Sequence, residues 1–168
     1  ILDPKGSGTV DVNPSRITIV TDPSSAQDAA TKAYVDSVAN GLDVKASVRL
    51  ASTANIAGTY NNGAGTITAG SNGALSVDGV TPSADDRILL KDQTDATENG
   101  IYKVTTVGDG STAYVLTRTP DADAASEITG GAFTFVEQGT ANADNGYVFT
   151  HNGTPTLGTT DITVEQFS

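Results

Sequence analysis

Arg87-Ile88-Leu89-Leu90-Lys91 and, further on, Gly100-Ile101-Tyr102-Lys103-Val104-Thr105-Thr106-Val107 are the two stretches on which the fold turns. Both are short runs of apolar, aromatic and β-branched residues. Asp85-Asp86 precedes the first and Asn99-Gly100 opens the second, so each reads as a strand bounded by turn formers. Tyr102 and Val104 alternate with Ile101, Lys103 and Thr105, which predicts one inward face per strand. The same grammar extends outward to Val44–Leu50, Gly65–Ala69, Ala74–Val77, Ala113–Arg118, Gly131–Glu137, Tyr147–Thr150 and Ile162–Phe167. Asn62-Gly63, Asn72-Gly73, Asp78-Gly79, Asp109-Gly110, Asn145-Gly146 and Asn152-Gly153 punctuate them. Regular spacing of this kind predicts an antiparallel β-sandwich or barrel over residues 43–168. The expected core is Val48, Leu50, Leu75, Val77, Ile88, Leu90, Tyr102, Val104, Val115, Leu116, Phe133, Phe135, Val148 and Phe149. The longest loops are then Ala51–Ala64, Val80–Asp86 and Pro120–Gly130, where sequence change is expected to be best tolerated.

Twenty acidic residues against nine basic ones give a formal charge of −11, spread in ones and twos along the chain. Such a field repels phosphate backbones and anionic bilayers, so neither nucleic acid nor membrane is an expected partner. The chain has no cysteine, which excludes a disulfide framework, a thiolate metal site and a cysteine nucleophile. It has no methionine either, and Ile1-Leu2-Asp3 is expected to be an internal point of a longer polypeptide. No apolar run approaches the roughly 20 residues of a membrane span.

Upstream of residue 43 the pattern differs. Residues 1–24 hold Pro4, Gly6-Ser7-Gly8, Pro14 and a single β-type run, Arg16–Val20, and are too short to bury a core alone. They read as a shaft or linker. Residues 25–42 form the one helix candidate, with Ser24 and Gln27 spaced as a capping box and Gly41 as a stop. Tyr34, Val35, Val38 and Leu42 recur along one face of that helix, a narrow stripe on an element that is marginal alone in water. Packing against copies of itself is the expected solution.

The run Asp22-Pro23-Ser24-Ser25-Ala26-Gln27-Asp28-Ala29-Ala30-Thr31-Lys32-Ala33-Tyr34-Val35-Asp36 resembles the repeat phrase of bacteriophage tail-fibre proteins. It spans about a tenth of the chain, and its combination of Asp-Pro, Ala-Ala-Thr-Lys and Tyr-Val-Asp is specific. Asp85–Gln93, Glu98–Tyr102 and Glu165–Phe167 resemble, more loosely, β domains that follow this phrase in phage structural proteins. The resemblance implies a fibrous shaft, a trimerising helix and a β module in a homotrimer. Tyr34, Val35, Val38 and Leu42 then line a three-chain bundle, and Arg16–Val20 belongs to an intertwined shaft. It further implies a virion location in the tail fibre, contact with other virion proteins, and a part in attachment to a host-surface glycan or protein. A capsid decoration or head-fibre protein and a glycan-binding receptor-recognition tip stand as alternatives.

Chemistry is sparse. His151, the single histidine, sits beside a turn, and no Gly-x-Ser-x-Gly elbow accompanies it. Asp121, Asp123 and Glu127 gather three carboxylates of the kind calcium takes, yet Ala124-Ala125 stand where a loop of the EF-hand type needs a ligand and a glycine. Tyr60, Tyr114 and Tyr147 lie near Asn and Asp, as sugar platforms do, and fit a sheet core equally well. No catalytic residue, cofactor or enzymatic activity is expected.

Overall fold

The computed structural model describes residues 17, 19–39 and 43–168, apart from the side chains of 36–39. It divides into two compact units, Ile1–Gly41 and Leu42–Ser168.

In the first unit the helix α1 spans Lys32–Ala39, shorter than the expected 25–42. Two side chains explain the late start. The Asp28 carboxylate accepts the backbone N–H groups of Ser24 (2.9 Å) and Ser25 (2.8 Å), folding 24–28 into a turn instead of a helical one. Thr31 Oγ1 then accepts Tyr34 N–H at 3.0 Å, so Thr31 rather than Ser24 is the cap. Tyr34 and Val35 are exposed on this helix. The Val38 side chain and all of Leu42 lie outside the described residues, as do Arg16 and Thr18 of the expected shaft strand. The described Ile17, Ile19 and Val20 carry no strand.

The second unit is mainly β. Its nine strands are β1 Leu50–Ala51, β2 Thr59–Asn61, β3 Thr66–Thr68, β4 Arg87–Leu90, β5 Gly100–Thr106, β6 Val115–Arg118, β7 Phe133–Phe135, β8 Gly146–Phe149 and β9 Val164–Gln166. A six-stranded sheet has the order β1-β4-β5-β6-β3-β2, and a three-stranded sheet the order β7-β8-β9. The expected strand over Ala74–Val77 reduces to a bridge between Val77 and Val80. There Asp78 (φ 48°) and Gly79 (φ 77°) make the tight turn that Asp-Gly signals. β2, inside the expected 51–64 loop, was not anticipated.

Pairing is antiparallel with one exception that organises the unit. Residues 43–51 run parallel to β7 through bridges Val44–Phe133 and Val48–Val136, then parallel to β4 as β1, with Leu50 opposite Ile88. Lys45 N–H and Val48 N–H donate to Phe133 and Phe135 carbonyls, while Arg49 N–H and Ser52 N–H donate to Arg87 and Leu89 carbonyls. One segment therefore stitches the edges of both sheets. Two salt bridges brace it: Arg49 to Asp86, and a two-pronged pair from Arg87 to Asp121 at 2.8 and 2.9 Å, with Arg87 also donating to the Ser47 and Ala46 carbonyls.

The six-stranded sheet is buried on both faces. Leu89 and Ile101 point into a cluster with Val48, Ala51, Val136, Tyr147, Phe149 and Ile162, which is the space between the sheets. Ile88, Leu90, Tyr102 and Val104 point the other way, into a second cluster with Leu50, Ile67, Leu75, Val77 and Leu116. Covering both faces is the physical reason for the unbroken run Ile88-Leu89-Leu90, and it corrects the expectation of a single inward face.

Ten of the fourteen expected core residues are buried, and Val115, Phe133, Phe135 and Val148 are not. Val115 and Val148 each precede a buried neighbour, Leu116 and Phe149, and strand alternation turns them to the opposite face. β7 is reversed outright. Tyr147 and Phe149 of β8 fill the inter-sheet space, leaving room opposite only for Thr134 of β7 and the flanking Ala132 and Val136. Thr134, fully buried, donates its hydroxyl to the Ala46 carbonyl at 3.0 Å, while Phe133 and Phe135 turn outward.

Candidate functional site

The outward side of the three-stranded sheet is the most distinctive surface of the second unit. Register places Phe133 beside Val148, and the chain end brings Phe167 across them. Phe133, Phe135 and Phe167 meet edge to face with ring centroids 5.7 to 6.2 Å apart. Phe135 is 46% exposed, Phe167 50% and Val44 58%, so they form an apolar patch open to water. Gly146 makes the trio possible, since a Cβ there would lie 2.6 Å from Phe167 Cζ and 3.0 Å from Phe135 Cε1. A surface lined by Phe133, Val148 and Phe167 offers dispersion and water release but no hydrogen bonds. It suits an apolar protein surface, and the exposed Glu165, opposite Val148 in the register, stands at its margin.

The residues singled out for sugar binding lie elsewhere. Tyr147 is buried, its hydroxyl donating to Asn142 Oδ1 at 2.6 Å and its ring under Lys91 Nζ. Tyr114 donates to the Ala57 carbonyl. Tyr60 accepts from Arg118 Nε at 3.1 Å and donates to Asn62 Oδ1 at 3.1 Å. All three hydroxyls are engaged within the protein.

Arg118 had no signal in the sequence. It is 3% exposed, with Cζ 4.8 Å from the Tyr102 ring centroid and 5.5 Å from that of Tyr60. Nη2 donates to the Thr97 carbonyl at 3.3 Å, and Nη1 has no partner. Burial beside it pushes the Tyr102 phenol far above its ordinary value.

Asp121, Asp123 and Glu127 are neighbours with separate tasks. Asp121 is held by Arg87, whereas Glu127 Oε2 accepts the backbone N–H groups of Asp123 (3.1 Å) and Ala124 (3.0 Å), shaping the turn that carries Ala122 and Ile128 into the core. Among the described residues no group of three or more His, Cys, Asp or Glu is placed to hold a metal ion. His151 is buried, its Nε2 2.9 Å from the Ile128 carbonyl and its Nδ1 unpartnered. No hydroxyl or carboxylate is bonded to it, so the nucleophile–base contact that acyl chemistry requires is missing there.

Partial burial raises the Asp121 carboxyl, but hydrogen bonds from Arg87 and Thr119 and the guanidinium charge outweigh it and leave it below the ordinary 3.8. Backbone and hydroxyl donors of Thr97 and Ser111 lower Asp95 and Asp109 likewise. Partial desolvation and the charges of Glu127 and Asp121 raise Asp123. A lowered carboxyl contributes stability above its unfolded value and loses it as pH falls through the folded one. Asp123 has the opposite sign, its contribution being present below the unfolded value and lost as pH rises through the folded one. In the second unit three carboxyls are lowered against one raised, and Asp28, lowered by hydrogen bonds from Ser24 and Ser25, belongs to the first. The melting temperature of the second unit should therefore be nearly level from neutral pH to about 4 and fall below that. Circular dichroism melts across this range test it, and Asp121→Asn should flatten part of the acid limb. A melting temperature that holds steady well below pH 4 contradicts the assignment.

Among the described residues no helix is long and apolar enough to cross a membrane. Comparison with protein-family models, with curated proteins and with solved structures yields no match.

Proposed function

We propose that this chain is a non-enzymatic structural subunit of a bacteriophage tail fibre that assembles as a homotrimer and contributes to host-cell attachment. The observation that carries this reading is the Asp22–Asp36 phrase together with its helix. α1 is eight residues long, about two turns, and Val35 on it is 52% exposed. A helix this short is not stable by itself in water, and the apolar spacing of Tyr34, Val35 and Val38, continued in the sequence by Leu42, gains most from other copies of the same segment. The outward Phe133-Phe135-Phe167 patch supplies a second apolar surface for contact with virion proteins or with a host-surface protein. Its three edge-to-face phenylalanine rings suit burial against another protein.

Sedimentation equilibrium at micromolar concentration should give three times the chain mass. Val38→Asp combined with Leu42→Asp should shift the species to monomer, because each chain would bring like charges to a shared apolar axis. The melting transition of the β unit should persist in that variant, which separates loss of assembly from loss of fold. A wild-type monomer at that concentration would sink the proposal.

A further inference from the structure

Six Asn-Gly pairs stand in this chain, at 40–41, 62–63, 72–73, 99–100, 145–146 and 152–153; the first lies outside the described residues, and the other five belong to the second unit and are compared below. An asparagine followed by glycine can undergo spontaneous deamidation, because no side chain shields the glycine nitrogen. Folding permits this only where the asparagine carboxamide and the next N–H are both free to approach each other.

Four of the pairs are held. Asn99 is buried, accepts Gln93 N–H at 3.0 Å and donates to the Ile162 carbonyl at 2.9 Å. Asn62 accepts from Tyr60 and donates to the Leu157 carbonyl at 3.2 Å. Asn145 donates to the Ala141 carbonyl, and Gly146 N–H is taken by Ser168 Oγ at 2.8 Å. Gly73 N–H donates to the Thr112 carbonyl. Asn152 and Gly153 differ: both are exposed, neither the carboxamide nor the Gly153 N–H makes a hydrogen bond, and the space a Gly153 Cβ would occupy is open.

We infer that Asn152 is the intrinsic deamidation site among the described Asn-Gly pairs, all in the second unit, with water as the co-reactant. The Gly153 nitrogen, losing its proton, attacks Asn152 Cγ; the Cγ–Nδ2 bond breaks and ammonia departs carrying that proton, leaving a succinimide. Water then opens the ring. Cleavage of the bond between nitrogen and Cγ yields aspartate, and cleavage of the bond between nitrogen and the Asn152 main-chain carbonyl carbon yields isoaspartate. The sum is one amide and one water giving one carboxylic acid and one ammonia.

The site is structurally consequential. Gly130 lies so close to the His151 carbonyl that a side chain there would collide with it, and Gly130 N–H donates to the Gly153 carbonyl at 3.3 Å. An isoaspartyl linkage inserts one carbon into the main chain between those two carbonyls. Conversion therefore loosens the junction of loops 128–131 and 151–154 and adds a negative charge to an already acidic surface.

The test is to age the whole chain at mildly alkaline pH and map the five pairs of the second unit by peptide mass spectrometry, with isoaspartyl methyltransferase labelling. Asn152 should convert at least about tenfold faster than each of the other four pairs of the second unit, because those require local opening first. In concentrated urea the five rates should converge. Asn152→Gln should remove most of the conversion found in peptides of residues 43–168 from the folded chain. Faster conversion at Asn62, Asn72, Asn99 or Asn145 in the folded protein would overturn the assignment. So would a silent Asn152 in folded protein that converts readily in urea.

Discussion

Gly100→Ala should lower the melting temperature of the β unit by roughly 10–20 °C. Gly100 begins β5 with φ at 144°, a conformation that side chains with a Cβ rarely adopt, and an added Cβ would fall onto Arg118 Nη1. The guanidinium can give way only by disturbing its bonds from Nε to Tyr60 and from Nη2 to the Thr97 carbonyl. It lies against the rings of Tyr60 and Tyr102, with its stem along Gly65. Backbone strain and overpacking each cost about 1–3 kcal/mol, and together they amount to about 4. Gly70→Ala is the matched control, since nothing lies within 4 Å of its added Cβ and its φ is not positive. It should move the melting temperature by no more than about 2 °C. An unchanged melting temperature for Gly100→Ala would show that Arg118 can vacate its place freely, and the clamp would carry no stability.

Asn142→Ala should cost about 3–4 kcal/mol, the penalty for stranding several buried polar groups at once. Asn142 is 5% exposed; its Nδ2 donates to the Ala51 and Ser52 carbonyls at 3.1 and 3.3 Å, and its Oδ1 accepts Tyr147 Oη at 2.6 Å. The Asp78 carboxylate fixes this loop from the opposite side by accepting Ala141 and Asn142 N–H groups at 2.9 to 3.0 Å. Tyr147→Phe removes only one leg and should cost about 1–2 kcal/mol. Chemical denaturation of both variants gives the comparison. Equal, small losses would mean that water enters and satisfies the orphaned carbonyls, and that the site is less dry than its burial implies.

What could be read from residues alone follows from how local each signal is. Eight of the nine strands overlap expected runs, because β-branched and aromatic clusters between Asn-Gly and Asp-Gly pairs act over a few residues. Facing was harder. Phe133-Thr134-Phe135 alternates cleanly, but which phase points inward depends on Tyr147 and Phe149 across the register, and local alternation does not encode that. The unbroken Ile88-Leu89-Leu90 was the available sign of a doubly covered sheet. The helix start was misplaced because Asp28 competes for the N–H groups of Ser24 and Ser25, a choice between two capping geometries that composition leaves undecided. Of the candidate sites, the aromatic patch was hidden by its own hydrophobicity, which reads as core. Arg118 carried no motif. Tolerance in the 120–130 loop was overestimated, since Ala122 and Ile128 anchor it in the inter-sheet core.

The stitching segment 43–51 also determines how the β unit would bear a pull. Residues 44–48 run parallel to β7, and β7 and β9 are each antiparallel to β8, so the entering segment and the departing β9 point the same way. Tension applied between residue 43 and Ser168 therefore acts along the strands from opposite ends. Cross-strand hydrogen bonds on that path are loaded together rather than opened one at a time like a zipper. Because the same segment goes on to pair with β4, the load is shared by the second sheet as well. Topology alone thus gives this small acidic unit the wiring of a tensile link.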